Sequence, residues 1–184
     1  MYGWQTIGGV PAEIKKCVII AAPHTSNWDL LWMLLAAIDL GIRPNWFGKY
    51  NLFRPPLGFF LRAVGGIPID RRASNNAVEA AVATIGANDL ISLAIPPEGT
   101  RGHVDHWKTG FYHIAHGAGV PIICCFLDYG SKRTGVGPVV QPSGDIDADM
   151  LIFEEFYQGM TGLHPDRFGP VQLKPETENK RKKS

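Results

Sequence analysis

The chain has 184 residues, of which 45% are hydrophobic and 19% are charged, the balance of an ordinary folded protein. This length fits a single domain whose core buries most of its apolar surface. The formal net charge of +1 excludes a strongly basic nucleic-acid-binding protein. No apolar run approaches the roughly 18 residues that span a bilayer, and no signal-peptide pattern is expected at the amino terminus.

The charge is concentrated at the carboxyl terminus. Residues 174–184 hold five basic and two acidic side chains, a net charge of +3. We therefore predict one domain over residues 1–173, followed by a basic and disordered tail over residues 174–184. The cysteines Cys17, Cys124 and Cys125 lie in apolar, strand-like runs, which is typical of reduced core residues in a cytosolic protein.

Strand-like and helix-like segments alternate along the chain. The pattern predicts strands at 16–22, 44–49, 67–71, 90–95, 120–127 and 136–140, and helices at about 30–39, 73–87, 107–116 and 145–158. We expect Ser26 to cap the first helix in a capping box with Asp29, and Ser74 to cap the second. Pro138 indicates that the last strand is an edge or late strand. The alternation predicts an α/β fold, a single layered domain with a mostly parallel, buried sheet flanked by helices.

Polar residues follow four of the predicted strands. They are His24, Lys49, Asp70-Arg71 and the stretch Glu98-Gly99-Thr100-Arg101. Because ligands of parallel sheets bind at the carboxyl ends of the strands, we expect these residues to share one site.

His24 and Asp29 form the first candidate pair. With His24 in a loop and Asp29 in the first helical turn, the chain can fold back so that the carboxylate meets the imidazole. Asp29 would then fix the ring tautomer while the other ring nitrogen takes a proton from an alcohol. The alternative is that Asp29 only caps the helix and His24 is an ordinary loop residue.

The stretch Glu98-Gly99-Thr100-Arg101 suits phosphate binding. Arginine offers two parallel donors to phosphate oxygens, and backbone amides near the glycine can add to them. Lys49 and Arg71 would extend the positive lining. The alternative is a surface loop with an internal Glu–Arg pair.

These motifs together resemble the lysophospholipid and glycerophosphate acyltransferase family. Its first block, a histidine followed after four residues by an aspartate, is His24 to Asp29 here. The second block is Gly65 to Arg71, the third is Pro97-Glu98-Gly99-Thr100-Arg101, and the fourth is Val120 to Ile123. The order and spacing of the four blocks agree with the family over about residues 16–140.

The resemblance implies acyl transfer from a thioester, acyl-CoA or acyl carrier protein, to a hydroxyl of a lysophospholipid or glycerol phosphate. His24 would be the general base and Asp29 its partner, while Glu98 and Arg101, with Arg71, would hold the phosphate. It implies no metal and no cofactor beyond the acyl donor. Two alternatives remain: the same chemistry on a lipid acceptor without phosphate, or a non-catalytic lipid-binding module.

Two segments are candidates for a peripheral contact with the inner face of the cytoplasmic membrane. The segment 52–61 mixes aromatic residues with arginine, as interfacial segments do, and Lys180 to Lys183 can attract anionic lipid. The alternatives are a loop packed into the core and a tail that only aids solubility.

Four histidines between residues 103 and 116 raise the question of a metal site. They are His103, His106, His113 and His116. Apart from Asp105, no carboxylate or cysteine accompanies them at ligand spacing, so we predict packing or acceptor contacts for them and no metal site.

Overall fold

Seven strands form one sheet in the computed structural model, which describes residues 3–69 and 77–175. In chain order the strands are β1 Gln5–Ile7, β2 Lys16–Ala22, β3 Pro44–Lys49, β4 Gly66–Ile69, β5 Ile91–Ile95, β6 Ile122–Asp128 and β7 Arg133–Val140. Their spatial order is β1-β7-β6-β2-β5-β3-β4. The five strands from β6 to β4 in this order are mutually parallel, whereas β7 is antiparallel to β6 and β1 is parallel to β7.

Helices cover both faces of this sheet. They are α1 Trp28–Asp39, α2 Leu57–Ala63, α3 Ala77–Gly86, α4 Gly110–Ala118 and α5 Ile146–Tyr157, with short 3-10 helices at Tyr50–Phe53 and Pro165–Arg167. Residues of α3, α4 and α5 pack with Val18 and Ile20 on one face. Leu40, just after α1, packs with Cys17 and Ile19 on the other. Alternate residues of β2 therefore enter two separate cores, which confirms the predicted buried sheet.

The apolar runs locate most elements well. The predicted strands 16–22 and 44–49 match β2 and β3, and the helix predicted at 30–39 is α1. Helix α1 begins at Trp28 with Asn27 as its N-cap, so the predicted cap at Ser26 is wrong by one residue. The Ser26 hydroxyl nevertheless accepts a hydrogen bond from the Trp28 N–H at 3.2 Å.

Three predictions at other elements need comment. The strand predicted at 136–140 is the second part of β7. Strand β1, which was not predicted, pairs with residues 133–135 only, so among the described strands residues 136–140 have no outer neighbour and lie at an edge, as predicted. Pro138 lies beyond that pairing, where its missing N–H costs no hydrogen bond on that side. The helix predicted from residue 107 begins at Gly110, with Thr109 as its N-cap, and the N–H groups of Trp107 and Lys108 before it are bonded to the carbonyls of Gln172 and Pro97. Ser74 and residues 176–184 of the predicted tail lie outside the described residues.

None of the helices within residues 3–69 and 77–175 has both the length and the apolar character needed to cross a bilayer. The three cysteines are free thiols, with Cys17 and Cys124 buried.

Candidate functional site

Two loops meet at the carboxyl edge of the sheet. Strand β2 ends at Ala22, two residues before His24, and β5 ends at Ile95, three residues before Glu98. Because β2 and β5 are parallel neighbours, both loops leave the sheet at the same edge. The backbone N–H of His24 is bonded to the Glu98 side chain, so the two predicted motifs are in direct contact.

His24 and Asp29 come together as predicted. The Nδ1 atom of His24 lies 3.3 Å from Oδ2 of Asp29, and the imidazole is 16% exposed while the carboxylate is fully buried. Nδ1 is buried and has no well-aligned hydrogen-bond partner within the described part of the chain. The contact with Asp29 is therefore close but not aligned, which is common in catalytic pairs until the substrate binds. With its proton on Nδ1, the ring keeps Nε2 free to accept a proton.

Asp29 also holds the loop that carries the histidine. Its Oδ2 atom accepts hydrogen bonds from the N–H groups of Thr25 and Ser26, both at 2.8 Å, and its Oδ1 atom accepts one from the Tyr129 hydroxyl at 2.9 Å. Burial raises the pKa of Asp29, but the close contact with His24 and the hydrogen bonds from Ser26 and Tyr129 outweigh it and leave the pKa below its usual value. Asp29 thus stays ionised beside the imidazole, and it holds the backbone of Thr25 and Ser26, just before the helix, in addition to facing His24.

Glu98 lies inside the protein. Only 1% of it is exposed, and both carboxylate oxygens face the N–H of His24, at 3.1 and 3.2 Å. Burial raises the pKa of Glu98 to about 7, although the bond from His24 opposes the shift. This position suits support of the His24 main chain, so the prediction that Glu98 contacts a substrate stays a prediction.

We expect Glu98→Gln to remove a pH dependence from the free energy of unfolding. The pKa of Glu98 is about 7 in the folded protein and 4.5 as its ordinary value, so between these the folded state keeps a proton that the unfolded chain has lost. Stability therefore falls as the pH rises through this window, by roughly 3 kcal/mol in total. Glutamine stays neutral and can still accept the His24 N–H bond.

Urea unfolding between about pH 5 and pH 8 measures this effect. The stability of Glu98→Gln relative to the wild type should rise with pH by roughly 2 to 3 kcal/mol. Glu79→Gln, at an exposed position of α3, is the matched control for removing one carboxylate. A relative stability that is the same at both ends of the range would contradict a raised pKa.

A small polar cavity lies beside His24. Its volume is about 480 Å³, and it is lined by His24, Pro96, Gly99, Thr100, Arg101, Gly102 and Arg167. Gly99 has a φ of +68°, which favours glycine. The Lys108 side chain lies across this glycine, so closely that a Cβ atom there would be 2.6 Å from Lys108 Nζ. The predicted turn therefore brings Gly99, Thr100 and Arg101 to one cavity that Arg167 also lines, the composition of an anion site.

A larger apolar cavity shares three residues with the polar one. It measures about 730 Å³ and is lined mostly by apolar side chains of α1 and of the sheet, among them Leu30, Met33, Leu34, Trp46, Phe47 and Phe126. His24, Pro96 and Arg101 line both cavities. The imidazole therefore stands where an apolar space adjoins a cationic one.

The remaining predicted residues lie elsewhere. Lys49 is exposed at the end of β3 and lines neither of these cavities. Arg71 falls outside the described residues. His116 stacks on Tyr112 with their ring centroids 6.3 Å apart, and His103 lies 3.4 Å from Asp105. Within the described residues, no three histidine, cysteine, aspartate or glutamate side chains are grouped as metal ligands.

Sequence reasoning missed three residues of this region. Tyr129, which bonds Asp29, directly follows β6, so the strand-end rule that pointed to His24 would also have found it. Lys108 and Arg167 carry no such signal, because neither follows a strand.

Comparison with known proteins identifies the family of this chain. The family model described as Acyltransferase matches residues 8–128, about two thirds of the chain. This chain belongs to the Acyltransferase family. A comparison with curated proteins found no match. Among solved structures, the acyltransferase is similar to the 1-acyl-sn-glycerophosphate (LPA) acyltransferase PlsC from Thermotoga maritima, with a TM-score of 0.55 and 20% identity. The match covers 77% of this chain and 61% of the PlsC chain, and it supports the same α/β fold.

The matched range divides the site of this acyltransferase. His24, Asp29 and the turn from Glu98 to Arg101 lie inside residues 8–128. Tyr129 and Arg167 lie beyond it, although the first bonds Asp29 and the second lines the polar cavity.

Proposed function

We propose that this acyltransferase moves a fatty acyl group from a thioester, acyl-CoA or the acyl form of an acyl carrier protein, to a hydroxyl of a lysophospholipid or a glycerol phosphate. The observation that supports this most is the position of His24 on the lining of both cavities. A phosphate bound near Arg101 places the rest of the acceptor next to the imidazole. The apolar cavity, at about 730 Å³, has the size of a small-ligand pocket and the lining that an acyl chain needs.

The proposed reaction is a direct transfer. Nε2 of His24 takes the proton of the acceptor hydroxyl as its oxygen attacks the thioester carbonyl carbon. The carbon–sulfur bond then breaks, and the thiolate leaves with the bonding electrons and regains a proton from the imidazolium. Asp29 holds the ring and stabilises its charged form between these two steps. An ester and a free thiol are the products, so no acyl-enzyme is needed.

Product analysis tests this proposal. The purified protein is incubated with acyl-CoA, or acylated carrier protein, and a panel of lysophosphatidic acid, glycerol 3-phosphate and monoacylglycerol, and the lipids are identified by mass. Transfer to the phosphate-bearing acceptors is the expected result. Transfer to monoacylglycerol alone would favour an acceptor without phosphate. Binding of lipid without any transfer, in both the wild type and a His24 variant, would favour a lipid-binding module.

The polar cavity favours the phosphate-bearing acceptor over the neutral one. Arg101 and Arg167 both line it, and a neutral glyceride gives neither guanidinium an anionic partner.

The segment 52–61 supports a peripheral contact with the inner face of the cytoplasmic membrane. Phe53 packs near Trp46, with ring centroids 6.1 Å apart, and is buried. In contrast, Leu57, Phe59 and Phe60 of α2 are 52%, 73% and 64% exposed. One part of the segment thus belongs to the core, and the other presents aromatic rings to the surroundings beside arginine, as interfacial helices do.

We expect the double change Phe59→Ser and Phe60→Ser to weaken binding to phosphatidylglycerol-containing vesicles at least about tenfold, since each buried phenylalanine contributes about 1.5 to 3 kcal/mol. Vesicle sedimentation measures the bound fraction. Leu151→Ser is the matched control, because Leu151 on α5 is exposed to 64%, as Phe60 is. Equal losses in the control and the double variant would mean that α2 makes no specific contact with the membrane.

A further inference from the structure

The segment that follows α5 contacts the loop that carries His24. Thr161 accepts a hydrogen bond from the Tyr129 N–H at 2.9 Å through its carbonyl. The N–H of His164 then donates to the Thr25 hydroxyl at 3.2 Å, and Nη1 of Arg167 donates to the Thr25 carbonyl at 3.3 Å. Thr25 is fully buried and adjoins His24 in the chain. Two bonds to Thr25 therefore fix residues 164–167 against the loop that carries the proposed base, and the bond to Tyr129 fixes Thr161 beside β6.

This docking brings Arg167 to the polar cavity. The side chain is exposed and lines the cavity together with His24 and Arg101. No acidic side chain of the described residues lines this cavity. Among residues 3–69 and 77–175, neither arginine forms an ion pair with a carboxylate. A guanidinium has five N–H donors, so Arg167 keeps most of them after bonding Thr25.

We propose that Arg167 binds the phosphate of the acceptor together with Arg101 and selects phosphate monoesters over neutral lipids. This inference deepens the proposed function and rests on it for the identity of the acceptor. A phosphate monoester carries between one and two negative charges at neutral pH, and two guanidinium groups match that charge with paired donors. Arg167 lies beyond residues 8–128, so this ligand comes from a part of the chain outside the matched family region.

Binding of sn-glycerol 3-phosphate to the purified protein, followed by calorimetry, tests the proposal without turnover. Arg167→Gln removes the charge but keeps an N–H donor for the Thr25 carbonyl. Its dissociation constant should be about 10- to 100-fold weaker than that of the wild type. Arg167→Lys keeps the charge with fewer donors and should fall between the two. Arg43→Gln is the matched control. Arg43 is exposed and lies just before β3, at the amino end of the strand, whereas the polar cavity lies at the carboxyl edge of the sheet.

Steady-state kinetics distinguish an Arg167 that binds the phosphate from an Arg167 that only holds the loop at Thr25. In Arg167→Gln, KM for lysophosphatidic acid should rise about tenfold or more while kcat changes less than about threefold. If Arg167 only positioned Thr25, kcat would fall with every acceptor, and glycerol 3-phosphate would bind as before. That pattern overturns the inference, as does a wild type that binds no glycerol 3-phosphate.

The outcomes also distinguish this inference from the proposed function. Arg167-dependent binding without any acyl transfer would reject the proposed reaction and keep the phosphate site. Transfer to lysophosphatidic acid that Arg167→Gln and Arg167→Lys leave unchanged would keep the reaction and reject Arg167 as a ligand.

Discussion

His24→Ala is expected to lower kcat for acyl transfer by about three orders of magnitude and to leave the protein folded. General base catalysis by a positioned side chain contributes about 10²- to 10⁴-fold, and the imidazole is the group placed between the two cavities. Folding should survive because the bond that Glu98 makes at this position goes to the main-chain N–H, which alanine retains. The release of free thiol from acyl-CoA measures the rate, and circular dichroism measures the fold.

His113→Ala is the matched control for this change. His113 is exposed on α4, so its removal tests the loss of a surface imidazole and should leave kcat within about twofold. If His24→Ala were folded and as active as the wild type, His24 would not be the base and the proposed mechanism would fail.

Asp29→Asn is the second change with a large expected effect. The Asp29 carboxylate is fully buried. It accepts bonds from Thr25, Ser26 and Tyr129 and faces His24. An amide has only one acceptor oxygen, so its NH₂ group must face a donor, and the imidazolium loses its counter-charge. We expect kcat to fall at least about a hundredfold. The unfolding free energy should fall by about 1 to 3 kcal/mol, the cost of an unpaired buried donor.

Asp149→Asn separates the two effects of that change. Asp149 is a buried aspartate in the first turn of α5 and accepts bonds from the Tyr112 hydroxyl at 2.7 Å and the Ser143 N–H at 2.8 Å. Like Asp29, it accepts a bond from a tyrosine hydroxyl and one from a backbone N–H before its helix, but neither of these bonds involves a histidine. Asp149→Asn should therefore cost similar stability and leave kcat nearly unchanged. If both variants lost stability alone, Asp29 would only support the loop before α1.

The parts of this fold that depend on local apolar pattern could be predicted from the sequence. Strand β2 was predicted because each of its faces enters a core, so that nearly every residue in it is apolar. Strand β1 was missed because three residues, Gln5 to Ile7, carry no pattern and pair with one neighbour only. Helix α4 begins three residues after its predicted start, and Trp107, where it was predicted to begin, is held by a bond from its N–H to the distant Gln172 carbonyl, which no local signal reveals.

The site divides in the same way. His24 and the turn after Glu98 follow strands and were predicted together, and the structure places them in contact. The inward direction of the Glu98 side chain depends on the packing of two loops 74 residues apart, which the spacing of residues does not show. Arg167 approaches Thr25 across 142 residues of chain, so only the folded structure brings it to the cavity.

The contacts of Trp4 have a practical consequence for protein engineering. Its indole stacks on Trp32 with centroids 4.8 Å apart and meets Tyr129 edge-on at 5.1 Å, and the Tyr129 hydroxyl bonds Asp29. Changes at Trp4 or in β1 beside it, such as trimming this part of the chain or fusing a bulky tag to it, can therefore affect the proposed catalytic pair through Tyr129. Assays that compare variants of this protein should keep that end of the chain identical throughout.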